Sequence, residues 1–141
     1  MALKVSRQDT WVAAMKDRPG GLAGKLEVLA KAGAQLEFLI ARRSPEKPGT
    51  GVVFVTPLRG AKQLEAAKKA GFRKSEHLHS VRVEGRDEPG VGAKLTDTLA
   101  AKGINLRGLS AAVIGKRFVA YLALDTAADA NKTIAILKKT R

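Results

Sequence analysis

The apolar positions near the start of the chain fall into blocks with two different periods. Thr10-Trp11-Val12-Ala13-Ala14-Met15 is a nearly continuous apolar run of strand length, and Asp17-Arg18-Pro19-Gly20 breaks it. Beyond the break, Leu22, Leu26, Leu29 and Ala30 recur at helical spacing, with Lys25, Glu27 and Lys31 on the opposite side and Gly33 as the stop. The pattern then predicts a hairpin, Leu36 to Ala41 with Gly51 to Thr56, around a proline- and glycine-rich loop. A second helix follows from Ala61 to Ala70, and a fourth strand from Phe72 to Leu78.

Displacing the sequence by about seventy residues lays this pattern on itself. Asp17, Pro19, Gly20, Ala23, Leu29 and Gly33 fall on Asp87, Pro89, Gly90, Ala93, Leu99 and Gly103, and Gln35 falls on Asn105. The second copy starts with Val81 and Val83 alternating with Arg82 and Glu84. It repeats turn and helix, then predicts a tighter hairpin, Leu106 to Val113 with Phe118 to Leu124, and a last helix from Ala127. Each copy reads as strand, helix, two strands, helix and strand, the α+β, ferredoxin-like plan of an antiparallel sheet with helices on one face. The expected domains are residues 1–78 and 79–141. The second has no fourth strand of its own, and Leu3-Lys4-Val5-Ser6 has the strand character to fill that edge.

The repeated turn carries candidate chemistry. A helix start presents backbone N–H groups without intrahelical partners and the positive end of the helix dipole, which suits a carboxylate near Gly20 or Gly90. Asp17 and Asp87 sit where a side chain either caps the helix or receives an ammonium group. Gln35 and Asn105 follow on the next strand with amides that bond either end of a zwitterion. The segments Asp17-Arg18-Pro19-Gly20-Gly21-Leu22-Ala23 with Gly33-Ala34-Gln35-Leu36, and Asp87-Glu88-Pro89-Gly90-Val91 with Gly103-Ile104-Asn105-Leu106, resemble the opening of the ACT domain. The whole chain is similar to small stand-alone proteins with two ACT domains in tandem.

That resemblance implies a non-enzymatic regulatory module that binds a free amino acid at the Pro-Gly turns and where paired domains meet. Its ligand-binding positions would be Asp17, Pro19, Gly20, Gly21, Leu22 and Gln35, with Asp87, Pro89, Gly90, Val91, Gly92 and Asn105 in the second copy. Asn105 matches an asparagine that often contacts ligand in the family. Where serine-binding members have a histidine four residues before the turn proline, this chain has Met15 and Gly85, so a serine-type site is not expected. A homodimer or an enzyme of amino-acid metabolism is the implied partner.

Composition narrows the rest. With 141 residues, 45% of them hydrophobic, and Cys 0, the chain suits a folded cytoplasmic protein without disulfides or cysteine-held metal. No cofactor, metal site or membrane segment is expected. Gly20 to Leu26 lacks the spacing and the hydroxyl of a phosphate-binding loop, and Gly90-Val91-Gly92 lacks the third glycine of a dinucleotide fingerprint. His77 and His79 are the nearest approach to a metal pair. The formal charge of +13 favours polyanions. A basic nucleic-acid-associated protein is therefore the rival reading, using Arg42, Arg43, Lys62, Lys68, Lys69, Arg73 and Lys74. Against it, the third strand offers only Phe54 for base stacking. An oligomerisation module without ligand is the other rival.

Overall fold

Strand-forming runs and glycine stops set the elements in the computed structural model, which describes residues 2–140. Met1 and Arg141, the outer limits of the two expected domains, lie outside the described residues. The chain divides into two compact units, an early one of Asp9–Ser75 and a late one that joins the residues up to Gln8 with those from Glu76 onward.

In the early unit, β1 (Lys4–Lys16) contributes its second part, followed by α1 (Gly21–Lys31), β2 (Phe38–Arg43), β3 (Thr50–Thr56), α2 (Gly60–Lys69) and the start of β4 (Arg73–Arg86). The strand order is β2-β3-β1-β4. The β1–β3 register sets Val12 opposite Phe54 and Ala13 opposite Val53. Alternation along these strands sends Ala13, Val53 and Val55 under the helices, where Leu29 of α1, Ala67 of α2 and Phe72 complete the core. Val12, Ala14, Val52 and Phe54 take the opposite face.

The late unit adds α3 (Val91–Ala100), β5 (Gly108–Ile114), β6 (Arg117–Leu124) and α4 (Ala127–Lys138) to the remaining parts of β1 and β4. Its strand order is β1-β4-β6-β5. Val81, Val83, Leu99, Leu122, Leu124 and Leu137 form a fully buried core, and Leu3 and Val5 pack against it. Among the described residues α4 alone begins with a side-chain cap, Thr126 accepting from the Asp129 N–H.

The molecule therefore has an α+β, ferredoxin-like architecture of antiparallel strands and helices. Two sequence expectations change. Leu3 to Ser6 and Thr10 to Met15 are separate strands by pattern, but Lys4–Lys16 is one strand; Phe72 to Leu78 and Ser80 to Glu84 likewise merge into Arg73–Arg86, with Phe72 just ahead of it. Polar residues such as Arg7, Gln8 and Asp9 interrupt an apolar run without interrupting extended backbone, since no glycine or proline stands between Lys4 and Lys16. Leu36 is a core residue ahead of β2 rather than part of it; Glu37 N–H already bonds Thr56 O at 2.9 Å, and pairing of β2 begins at Phe38.

Candidate functional site at the turn-helix junctions

The two Pro-Gly turns are built alike. Gly20 and Gly90 are the residues preceding α1 and α3, both left-handed (φ 86° and 84°), a conformation in which a side chain is strained. Asp17 N–H donates to Gly49 O and Asp87 N–H to Lys116 O. Gly21 N–H and Val91 N–H close back on Arg18 O and Glu88 O, and the first α-type bonds run from Gly24 to Gly20 and from Lys94 to Gly90. Between those bonds, neither helix has a capping side chain at its start. Asp17 and Asp87 are therefore not the caps that their position allowed. Asp17 is exposed and paired with Arg43; Asp87 is exposed.

The surroundings of the two starts differ. At α1 a cavity of about 640 Å³ takes in Gly20, Gly21 and Gly24 and is rimmed by Lys16, Arg18, Lys25 and Lys69, without a carboxylate in its lining. Lys25 Nζ donates to Ala70 O at the end of α2, which fixes its ammonium group at the cavity. Gly21 is required here, because a Cβ would fall 2.1 Å from Lys16 O. At α3 a smaller cavity of about 300 Å³ is apolar, its walls including Val91, Gly92, Leu95, Leu109, Val113 and Phe118. The seventy-residue offset places Lys25 on Leu95, so one helical position supplies an ammonium group in one unit and a buried methyl pair in the other.

Of the positions expected from the sequence, Gly20 and Gly21 line the first cavity and Val91 and Gly92 the second. Leu22 packs against the early core. Pro19 and Pro89 are exposed in the turns. Gln35 and Asn105 are exposed and line neither cavity. The cavity also takes in three residues that the sequence does not point to as amino-acid contacts: Lys25, which the helical pattern puts on the solvent side of α1, Lys69, which it offers only as a phosphate contact, and Ala70, the last two brought there by α2.

His79 is tied into the late unit, its Nδ1 2.7 Å from Arg7 and its Nε2 3.1 Å from Glu76 O. Arginine only donates, so Nδ1 accepts and Nε2 carries the proton to Glu76 O. Among the described residues no group of three or more acidic or histidine side chains is placed to hold a metal ion, and no helix is long and apolar enough to cross a membrane.

Several solved structures share this architecture. Protein BT0572 from Bacteroides thetaiotaomicron superposes with TM-score 0.79 at 18% identity, over 96% of this chain and 89% of that one. The ligand-free regulatory subunit of aspartate kinase from Thermus thermophilus gives 0.66 at 18%, over 100% and 98%. The corresponding subunit from Thermus flavus gives 0.61 at 18%, over 97% and 95%. No curated protein matches the chain by sequence. Residues 79–140 match the ACT domain family, and the chain has the ferredoxin-like, ACT-type fold that these regulatory subunits share.

Proposed function

We propose that the chain is a non-enzymatic regulatory protein of two ACT-type domains in tandem, which binds a small amino acid at its turn-helix junctions and transmits occupancy to a partner. The domains are residues 1–78 and 79–141, with the N-terminal segment as the fourth strand of the second. Supporting that arrangement, Leu3 and Val5 pack on the late core. The carboxylate of the ligand sits at the start of α1, on the backbone N–H groups of Leu22 and Ala23, between the bonded ones of Gly21 and Gly24, and beside the Lys25 ammonium. Asp87 and Asn105 remain free to meet ligand at the second junction, whereas Asp17 is engaged by Arg43.

The observation that carries this reading is the α1 start, uncapped and opening on a cavity whose charged lining is wholly cationic. A ligand there acts as a signal only if it prefers one of two states of the protein or its assembly. The partner is a second copy or an enzyme of amino-acid metabolism, and the protein works in the cytoplasm.

Thermal unfolding in the presence of each of the twenty amino acids, at moderate salt and with the oligomeric state followed by sizing, tests the proposal. Ligand at a hundred times its dissociation constant stabilises by about 2.7 kcal/mol, a shift of several degrees for a protein of this size. One or two amino acids should produce it, and Lys25→Leu should remove it. A flat profile across all twenty overturns the reading.

A further inference from the structure

The exposed sheet face of the early unit holds a second, larger cavity, of about 860 Å³, that the amino-acid reading does not use. Its floor is Val12, Ala14, Val52 and Phe54, the strand positions that point away from the helices, and its rim carries Arg42, Lys47 and Arg73 against the single carboxylate of Glu46. Arg43 also lines it but is held by Asp17. The wall between Ser44 and Thr50 is a hydrogen-bonded loop rather than a slack one. Ser44 N–H donates to Thr50 O, Lys47 N–H to Ser44 O, and Thr50 donates to Lys47 O through both its N–H and its hydroxyl.

The late unit shows what this face looks like when it is closed. There Arg82 takes the place of Val12 and Glu84 that of Ala14, and Tyr121 stands opposite Arg82 as Phe54 stands opposite Val12. Arg82 lies over the Tyr121 ring, 6.0 Å from its centre, and donates to both the Tyr121 hydroxyl and Glu84. Tyr121 is left 8% exposed. In the early unit the residue at the place of Arg82 is Val12, which is too short to cover the equivalent aromatic; Phe54 is only partly buried, and Arg42, Lys47 and Arg73 line the same cavity.

From this we infer that the early sheet face binds single-stranded nucleic acid, one base stacking on Phe54 and the neighbouring phosphates meeting Arg42, Lys47 and Arg73. An aromatic ring on an apolar floor with cations at its margin is the combination that holds unpaired bases without reading their sequence. The formal charge of +13 adds long-range attraction for a polyanion over a small acid. This surface shares Ala14 and Thr50 with the cavity at α1 but none of its cations, so RNA binding and amino-acid binding are separable by substitution.

The test is fluorescence anisotropy of the full chain with a labelled ten-nucleotide uridine RNA over a range of salt. Phe54→Leu should weaken binding about 5- to 100-fold with an unchanged salt slope. Arg42→Gln with Arg73→Gln should lower that slope by about 1.4. Val12→Arg, which copies the covered ring of the late unit, should weaken binding although it adds a positive charge, and it stands in if Phe54→Leu fails to fold. Tighter binding by Val12→Arg, or full affinity in a folded Phe54→Leu, reduces the interaction to net charge and overturns the inference. A ten-residue polyglutamate that displaces the RNA as well as unlabelled RNA does overturns it too.

Discussion

The early and late units share the geometry of a turn-helix junction and differ in the chemistry around it. At the turn-helix junction both have a left-handed glycine and an uncapped helix start, but Lys25 faces one cavity where Leu95 lines the other. On the exposed sheet face the late unit stacks Arg82 on Tyr121 and pairs it with Glu84, whereas the early unit leaves Phe54 over Val12 and Ala14. The lesson is that one glycine geometry accommodates a polar opening in one unit and an apolar one in the other. A ligand that fits one junction is not expected to fit the other.

The largest effect follows from exchanging the paired helix positions. Leu95 is 4% exposed, so Leu95→Lys forces an ammonium group into an apolar core and should cost about 3 kcal/mol or more. Lys25→Leu removes only its bond to Ala70 O and should cost about 1 kcal/mol. Equal losses in urea unfolding would show that the two positions are not environments of different kind. The first helical residues form a second pair. Gly21→Val drives a side chain into the Lys16 carbonyl and should cost about 2 to 3 kcal/mol, while Val91→Gly loses a half-buried side chain and about 1 to 2 kcal/mol.

Acid separates the two sheet faces. Hydrogen bonds from Arg82 and then Arg117 hold the Glu84 carboxyl below its ordinary value of 4.5, outweighing the cost of its partial burial. A carboxyl whose pKa is lower in the folded chain than in the unfolded one stabilises above the unfolded value, and that contribution disappears as pH falls through the folded value. Stability of the late unit should therefore decline below about pH 4.5. Glu84→Gln should flatten that part of the profile, whereas Ala14→Gln at the matching early position should leave it unchanged.

The smallest effects should be nearly equal in the two units. A Cβ on Gly24 or on Gly92 meets nothing within 4 Å, so Gly24→Ala and Gly92→Ala should each stabilise by about 0.5 to 1 kcal/mol through helix propensity alone. A loss at either would reveal a packing constraint on that helix start.

Much of this fold was legible because glycine and proline punctuate it. Gly20, Gly33, Gly90 and Gly103 all have the positive φ that marks a helix start or stop, and α1 and α3 begin and end within three residues of those signals. Strand continuity was not legible. Arg7, Gln8 and Asp9 look like a break because pattern reports burial, and β1 continues through them because pairing asks only for extended backbone. The candidate site divides in the same way. The turn residues follow from local sequence, but Ala70 and Lys69 reach the α1 cavity only through the packing of α2, and the register that pairs Val12 with Phe54 is a tertiary fact. Gln35 and Asn105, which follow the helices in sequence, are exposed and stand outside the lining of either cavity.

Backbone amide chemical shifts followed by NMR during titration with the amino acid that best stabilises the protein test the central claim most directly. The account predicts saturable shifts that begin at Gly21, Leu22 and Gly24 and include the end of α2, with Lys25→Leu weakening the response at least tenfold. Saturable binding whose shifts lie elsewhere, with the α1 start unmoved, would contradict it.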